Sequence, residues 1–313
     1  MPSFRAKPFL KWAGGKRQLL KQIHLHLPDE LLQGKIKRYI EPFLGGGAVF
    51  LDLIQSHSIE EVYLFDINQE LILAYKTIQR EPTQLINFLT KLKDEYYSKS
   101  DEGRKDYFYA IRETYNKQRH IIDPYSFSEN WIGRTAYMIF LNKTCYNGLY
   151  RVNSSGGFNV PFGRYKKPKI VDAENLLAVS KLLTDVEIYA GEYQYCEIFV
   201  NNNSFVYFDP PYRPISTTSS FTSYSKDKFS EQNQIELAEF FSRLNRKTDA
   251  KLMLSNSDPK NVDPTDTFFE THYSTHNIDK VFATRMINSK AAGRGKITEL
   301  LITNYSREND DKK

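Results

Sequence analysis

Lys37-Arg38-Tyr39-Ile40-Glu41-Pro42-Phe43-Leu44-Gly45-Gly46-Gly47 decides the fold of this chain, because it joins a strand to a helix through a glycine-rich turn. Lys37 to Glu41 reads as the strand, Pro42 to Gly47 as the turn. A helix begins near Ala48 and continues through Val49, Phe50, Leu51 and Leu53. The next strand is Val62-Tyr63-Leu64-Phe65, ending at Asp66, with a helix from about Gln69 to Ile78. Strand, glycine loop, helix, strand and terminal acid is the opening of a doubly wound nucleotide-binding sheet, in which the acid accepts hydrogen bonds from ribose hydroxyls.

A second apolar run, Phe205-Val206-Tyr207-Phe208, reads as a fully buried parallel strand and is stopped by Asp209-Pro210-Pro211-Tyr212. In an open α/β sheet ligands bind beyond the carboxyl ends of the strands, where this turn falls. Asp209 offers an anionic acceptor. Pro210 and Pro211 have fixed φ and no N–H, so the turn is rigid and presents carbonyls, and Tyr212 adds an aromatic plate. Acceptors beside a plate suit a planar molecule with an exocyclic amino group.

Sheet-like alternation returns at Val186 to Ala190, and a helix (Ser230 to Leu244), a strand (Lys251 to Ser255) and late strands near Thr271 and Leu300 complete the sheet. Between these parts, from Glu81 to about Arg119, the pattern is helical, with Leu85, Phe88, Leu89 and Leu92 on one face. A further helix runs from Trp131 to Asn142, and Gly156 to Gly163 resembles a hairpin or ordered loop. The fold class expected is α/β, a Rossmann-like doubly wound, mostly parallel sheet with an inserted, mainly helical domain. Residues 1–76 and 171–306 are expected to form the sheet domain, 77–170 the insert and 307–313 a frayed tail.

The chain has 313 residues, 40% hydrophobic and 26% charged, which is ordinary for a globular protein. It has no apolar stretch of membrane-spanning length and no charged-then-apolar leader. Cys145 and Cys196 lie far apart without metal-like spacing, and His272 and His276 lack a partner acid, so a reduced cytoplasmic setting without a bound metal is expected. Net charge is only +5, but its distribution is uneven. Between Glu129 and Asp172 there is no acid, while Arg134, Lys143, Arg151, Arg164, Lys166, Lys167 and Lys169 alternate with aromatic residues. A second acid-free basic run extends from Lys280 to Lys296. Phosphate neutralisation combined with stacking is what a nucleic-acid surface requires.

The amino-terminal stretch Phe9-Leu10-Lys11-Trp12-Ala13-Gly14-Gly15-Lys16 supplies another loop. Lys16 could pair with a carboxylate and Trp12 could face a cation. Together with Asp66 these suit a cofactor with a ribose, a carboxylate and a sulfonium, and S-adenosylmethionine is such a molecule. NAD would call for G-x-G-x-x-G rather than three consecutive glycines.

Phe9 to Lys16, Glu41 to Gly47 and Asp209 to Tyr212 closely resemble the Dam-type (class alpha, D12) DNA adenine N6-methyltransferases. The likeness extends to Tyr146-Asn147-Gly148-Leu149-Tyr150-Arg151, Phe158 to Lys167, Phe221 to Tyr224 and Arg294 to Glu299. It covers nearly the whole chain in the family's order. The resemblance implies cofactor contacts at Trp12, Lys16, Asp66 and Asp209, with Phe43, Gly45, Glu192 and Tyr193 completing the pocket. It implies that Tyr146 wedges into duplex DNA and Asn147 faces the orphaned base. Leu149, Arg151 and Pro161 would read base edges, Arg164 would contact a phosphate, and Lys11 would reach the first guanine. The branch sharing these residues methylates adenine in GATC, although Thr144, Cys145 and Tyr150 depart from the enterobacterial form and the Gly156-Gly157 pair bears on loop reach. Double-stranded DNA is the implied partner, and a cognate restriction endonuclease acting on the same site is a candidate second one.

The catalytic set is thus Asp209, Pro210, Pro211 and Tyr212. Two other readings compete. An RNA or protein amide methyltransferase commonly carries Asn in place of Asp209 and would not use the Tyr146 to Arg151 loop. A catalytically silent DNA-binding regulator would have no need of Lys16, Asp66 and Asp209. Cys145 reads as a packed small residue rather than a nucleophile.

Overall fold

The computed structural model describes residues 4–213, 229–284 and 296–307. Among them one sheet is formed by β1 (Arg38–Glu41), β2 (Glu61–Asp66), β3 (Val186–Ala190), β4 (Ser204–Phe208), β5 (Lys251–Ser257), β6 (Asn277–Thr284) and β7 (Lys296–Thr303). Across the sheet the order is β3-β2-β1-β4-β5-β7-β6. The first five strands pair in parallel, and β7 lies antiparallel between β5 and β6. Strand order reverses between β1 and β4, so a crevice opens beyond their carboxyl ends. The glycine loop leaves β1 there and Asp209 leaves β4.

The helices are α1 (Leu20–Leu25), α2 (Asp29–Leu32), α3 (Ala48–Ile54), α4 (Gln69–Arg80), α5 (Pro82–Tyr97), α6 (Asp101–Gln118), α7 (Asn130–Thr144), α8 (Ala173–Leu182), α9 (Glu231–Lys247) and α10 (Phe268–His272). They cover both faces of the sheet, which is why β4 is apolar without interruption. Phe205 and Tyr207 join a cluster with Phe50 of α3, Ile78 of α4 and Val179 of α8. Val206 and Phe208 join a second cluster with Leu237, Phe240, Phe241 and Leu244 of α9 and Phe269 of α10. Phe205, Val206 and Phe208 are fully buried, contributing about 1.5–3 kcal/mol each. The doubly wound, mostly parallel α/β sheet expected from the sequence is the architecture observed.

The helical stretch after Glu81 is two helices rather than one. The break falls at Ser98 to Ser100, where the Ser100 hydroxyl accepts the Gly103 N–H at 3.2 Å and starts α6. Leu85, Leu89, Leu92 and Tyr96 bury the inner face of α5 in the same cluster that covers the sheet, and α4 continues past residue 77 to Arg80. Residues 153–157 form the tight turn of a hairpin-like loop, closed by a 2.9 Å bond from Asn153 N to Gly157 O, with Val152 bridged to Phe158. One expectation is corrected. Thr271 lies in α10, not in a strand, and the strand begins at Asn277. Asp266 accepts the Phe268 N–H at 2.9 Å, and the two buried aromatics, Phe269 and Tyr273, are four residues apart, so the aromatic spacing is helical. The loop 216–225, the Phe221 to Tyr224 and Arg294-Gly295 motifs, most of the 280–296 basic run and the tail beyond Arg307 lie outside the described residues.

Candidate active site

Period-2 alternation carries Asp209 onto the Tyr207 face of the sheet, where it meets a cation from the amino-terminal loop. Lys16 is only 4% exposed. Its Nζ lies 2.7 Å from Asp209 Oδ1, donates to the Gly14 carbonyl at 2.6 Å, and sits 4.5 Å from the Tyr212 ring centre. Ser255 Oγ, from β5, also donates to Asp209 Oδ1, at 3.1 Å. Burial raises the Asp209 carboxyl above its ordinary range, while the Lys16 ammonium and the Ser255 hydroxyl oppose that rise. Among the described residues no hydrogen bond ends on Oδ2.

The proline turn is clamped from both sides. Gln234 of α9 donates to the Pro211 carbonyl at 2.8 Å, and Asn256 of β5 donates to Gln234 Oε1 at 3.1 Å. Asn256 Oδ1 in turn accepts the Arg213 N–H at 3.1 Å, and the Tyr212 hydroxyl donates to Glu299 on β7. Nothing among the described residues donates to the Pro210 carbonyl. The turn therefore presents two acceptors, Asp209 Oδ2 and Pro210 O, that no described residue engages, on a rigid support.

Across the crevice, the glycine loop folds back on β2. Gly45 N donates to Asp66 Oδ2 at 2.9 Å and Asn68 N to Oδ1 at 2.8 Å. Burial raises the Asp66 carboxyl and these two N–H groups pull it back. Gly47 has φ +66, and a Cβ there would stand 2.5 Å from Tyr75 Oη, so only glycine closes this turn. Trp12 lies over the loop, 3.2 Å from where a Gly45 Cβ would be, and its other neighbour is Tyr150, stacked at 5.1 Å. Phe43 stacks on Tyr193 at 5.3 Å, with exposed Glu192 beside them.

Residues 142–164 build a second surface, anchored by buried Asn142. Its side chain accepts the Lys11 N–H at 3.0 Å and donates to the carbonyls of Lys11 and Gly148 at 3.0 and 2.9 Å. Tyr146 N donates to Pro161 O at 2.8 Å, which sets exposed Tyr146 beside exposed Pro161. Arg151 Nε donates to Asn159 Oδ1 at 2.8 Å, and Leu149 is half-buried. Asn147 and Arg164 are the non-glycine residues with positive φ among those described, at 58° and 53°. Held strain of this kind concentrates at functional sites. Lys11, Tyr146, Asn147, Leu149, Arg151, Pro161 and Arg164 thus sit on one hydrogen-bonded segment, and the Trp12–Tyr150 stack joins it to the crevice.

The family model for the D12 class N6 adenine-specific DNA methyltransferases matches residues 12–287. The chain belongs to that family. It is 51% identical over 300 residues to the type II methyltransferase M.MjaIII of Methanocaldococcus jannaschii, covering 96% of this chain and 99% of the relative. It is 39% identical over 301 residues to the type II methyltransferase M1.LlaDCHI of Lactococcus lactis, covering 96% and 95%. A DNA adenine methylase of Vibrio cholerae is 33% identical over 299 residues, covering 95% of each.

For a D12 methyltransferase the motif residues are only part of the construction. Ser255, Gln234 and Asn142 escaped the sequence reading as site residues, and Glu299 stood there only as the end of a motif, without a role. One signal was available for the first: Ser255-Asn256 directly follows the apolar run Leu252-Met253-Leu254, and polar residues at the buried carboxyl end of a strand need partners. Glu41 is another. It is buried, accepts the Tyr39 hydroxyl at 2.6 Å, and burial pushes its carboxyl well above the usual range. His272 and His276 have packing roles, against Phe268 at 4.5 Å and Phe241 at 5.0 Å. Among the described residues no helix is long and apolar enough to cross a membrane.

Proposed function

We propose that this methyltransferase transfers a methyl group from S-adenosylmethionine to N6 of an adenine flipped out of duplex DNA, in GATC. The observation that carries the reading is the pair of acceptors, Asp209 Oδ2 and Pro210 O, left unengaged by the described residues on a turn whose Pro211 carbonyl and Tyr212 hydroxyl are both taken. The N6 lone pair of adenine is delocalised into the ring. Accepting the two amino hydrogens at Oδ2 and at the Pro210 carbonyl lets the nitrogen pyramidalise and aims its lone pair away from the turn. Positive charge then develops on N6 beside an anion already fixed in place, which stabilises the transition state electrostatically. Asp209 Oδ2 is also placed to take the proton that the alkylated nitrogen sheds. A paired base cannot reach the end of β4, so flipping is required.

The crevice fits the donor. Asp66 would hold the ribose hydroxyls, the Phe43–Tyr193 plates with Glu192 the adenine, and Trp12, Lys16 and the Gly45 backbone the amino-acid end. S-adenosylmethionine supplies an electrophilic methyl group, and holding both reactants in one crevice removes much of the entropic barrier. Residues 77–170 serve in this reading as the target-recognition insert and 1–76 with 171–306 as the catalytic domain. Tyr146 wedges, Asn147 faces the orphaned base, Lys11, Leu149, Arg151 and Pro161 read bases, and Arg164 holds a phosphate. Two relatives named type II methyltransferases favour a restriction–modification setting, with an endonuclease that cuts the unmethylated site.

Tritium transfer from labelled S-adenosylmethionine to duplex DNA tests the chemistry; a protein that only binds shifts DNA without labelling it. Asp209→Ala should abolish transfer while leaving DNA affinity within about tenfold, since phosphate contacts supply most of it. Plasmid from expressing cells should resist a nuclease blocked by methyl-GATC. Full cutting, with modified adenine found in another context, would refute the site assignment.

A further inference from the structure

One face of the sheet lines up two hydroxyls, those of Tyr207 and Ser255, behind a single carboxylate oxygen of Asp209. Tyr207 pairs with Met253 in the parallel register of β4 and β5, so two residues on, Asp209 comes beside Ser255 on the same face. Ser255 and Tyr207 are fully buried. The Tyr207 hydroxyl lies 3.0 Å from Ser255 Oγ, and Ser255 Oγ lies 3.1 Å from Asp209 Oδ1. An ionised carboxylate only accepts, so the one proton of Ser255 is committed to Asp209, and Tyr207 must donate to Ser255. The relay has one direction. Lys16 Nζ approaches the same Oδ1 at 2.7 Å, and Oδ2 receives no hydrogen bond from the described residues.

The carboxylate torsion of an aspartate is broad and roughly two-fold, so a single ion pair does not fix which oxygen faces a ligand. A second donor from another direction does. We propose that Ser255, oriented by Tyr207, is a positioning residue that locks the Asp209 carboxylate plane so that Oδ2 faces the adenine amino group. This rests on the reading of Asp209 as the acceptor of that group. Ser255 does not touch the base. It sets the angle at which Asp209 does, so its loss should act on the chemical step rather than on binding.

The acid side of the pH–rate profile separates this role from mere satisfaction of a buried hydroxyl. Among the described residues Lys16 and Tyr212, Glu41 and Tyr39 of β1, and Tyr207 are the charged and titratable groups that face Asp209, and Ser255→Ala leaves all of them in place. Removing one donor to the carboxylate moves the acid limb to higher pH.

The full chain is assayed for methyl transfer to duplex DNA from labelled S-adenosylmethionine, comparing wild type with Ser255→Ala, Ser255→Thr, Tyr207→Phe and Asp209→Asn. Ser255→Ala is expected to lower kcat about tenfold to a hundredfold, the worth of one hydrogen bond to a charged group. KM for cofactor and DNA should stay within about twofold, with the acid limb raised. Ser255→Thr keeps the hydroxyl and should restore most of kcat, and Tyr207→Phe should shift both quantities in the same direction by a smaller factor. Wild-type kcat and acid limb in Ser255→Ala, with Asp209→Asn inactive, overturn the inference and leave the acceptor reading standing. Near-complete turnover in Asp209→Asn removes the acceptor reading and this inference with it. If Ser255→Ala does not fold, the near-isosteric Tyr207→Phe decides, and an unchanged kcat and acid limb there overturn the proposal.

Discussion

Asp209 is half-buried at the end of β4 and Cys145 is fully buried beside the Tyr146 to Arg151 turn, and their surroundings push these two acids to opposite uses. Burial pushes the Cys145 thiol up to about 12, and its proton is donated to the Leu149 carbonyl at 3.1 Å. At pH 8 its thiolate fraction is on the order of one in ten thousand, so it is inert although it adjoins the Tyr146 to Arg151 turn. Folded protein should therefore resist iodoacetamide at pH 8, and denatured protein should react at once; rapid labelling of native Cys145, read by mass spectrometry, would contradict the geometry. For Asp209 burial also raises the carboxyl, but Lys16 and Ser255 hold the ionised form within reach. In the proposed mechanism the active form is the anion, and its folded pKa is raised above the ordinary value of about 3.9. Turnover should accordingly be complete above that raised value and fall as pH drops through it. A single-turnover pH profile checks this, and a rate still flat down to about pH 4 would show Asp209 to be less buried than described.

A bidentate ion pair ties the helices that carry the recognition turn to those that cover the sheet. Arg134 of α7 donates to both carboxylate oxygens of Glu70 on α4 and, at 2.9 Å, to the Tyr115 carbonyl of α6, while its guanidinium rests 4.4 Å from the Tyr115 ring centre. Tyr115 reaches the Tyr150 hydroxyl at 3.2 Å, and Tyr150 carries the stack on Trp12. Arg134→Ala would leave the Glu70 carboxylate with only the Tyr115 hydroxyl, at 3.3 Å, and remove that packing. A loss of about 3–5 kcal/mol in denaturant unfolding is expected, and a change below about 1 kcal/mol would show the pair to be solvated. Nothing in the sequence marks this contact, since 64 residues separate the pair and each residue alone looks like a surface charge. The same distinction governs the rest of the comparison. Val186 to Ala190 and Phe205 to Phe208 were legible because burial on a sheet writes itself into a local period. Thr271 was misread because β-branched and aromatic residues favour strands, whereas the side-chain turn in which Asp266 accepts the Phe268 N–H leads into a helix. Asp209, Asp66 and Lys16 were legible as motif residues, whereas Ser255 and Gln234 act through register and packing that only the folded chain brings together.

Across the whole molecule, the +5 net charge says little, because its sign is segregated. The stretch from Glu129 to Asp172 keeps its bases free of acids, and Arg134, though inside it, is spent on Glu70. What remains exposed for DNA includes Lys11, Arg151, Arg164, Lys166 and Lys167. These charges are not equivalent. Arg151 is held by Asn159, so its guanidinium has a fixed origin from which to reach a base edge, and base contacts carry sequence information. Arg164 is held by its backbone, in a left-handed conformation with φ 53°, on the far side of Pro161 from the turn, and it has no side-chain hydrogen bond among the described residues. A cation displayed this way suits a phosphate, whose contribution is the same on every sequence. Arg151→Ala should therefore lower discrimination by about 1–3 kcal/mol at one base pair, with little change in the salt dependence of binding. Arg164→Ala should weaken all duplexes alike and reduce the slope of log K against log salt by about 1. Titrations of site-bearing and scrambled duplexes at several salt concentrations read both quantities at once. If the two variants exchange behaviours, the recognition segment is seated on DNA the other way round, with Arg164 in the groove and Arg151 on the backbone.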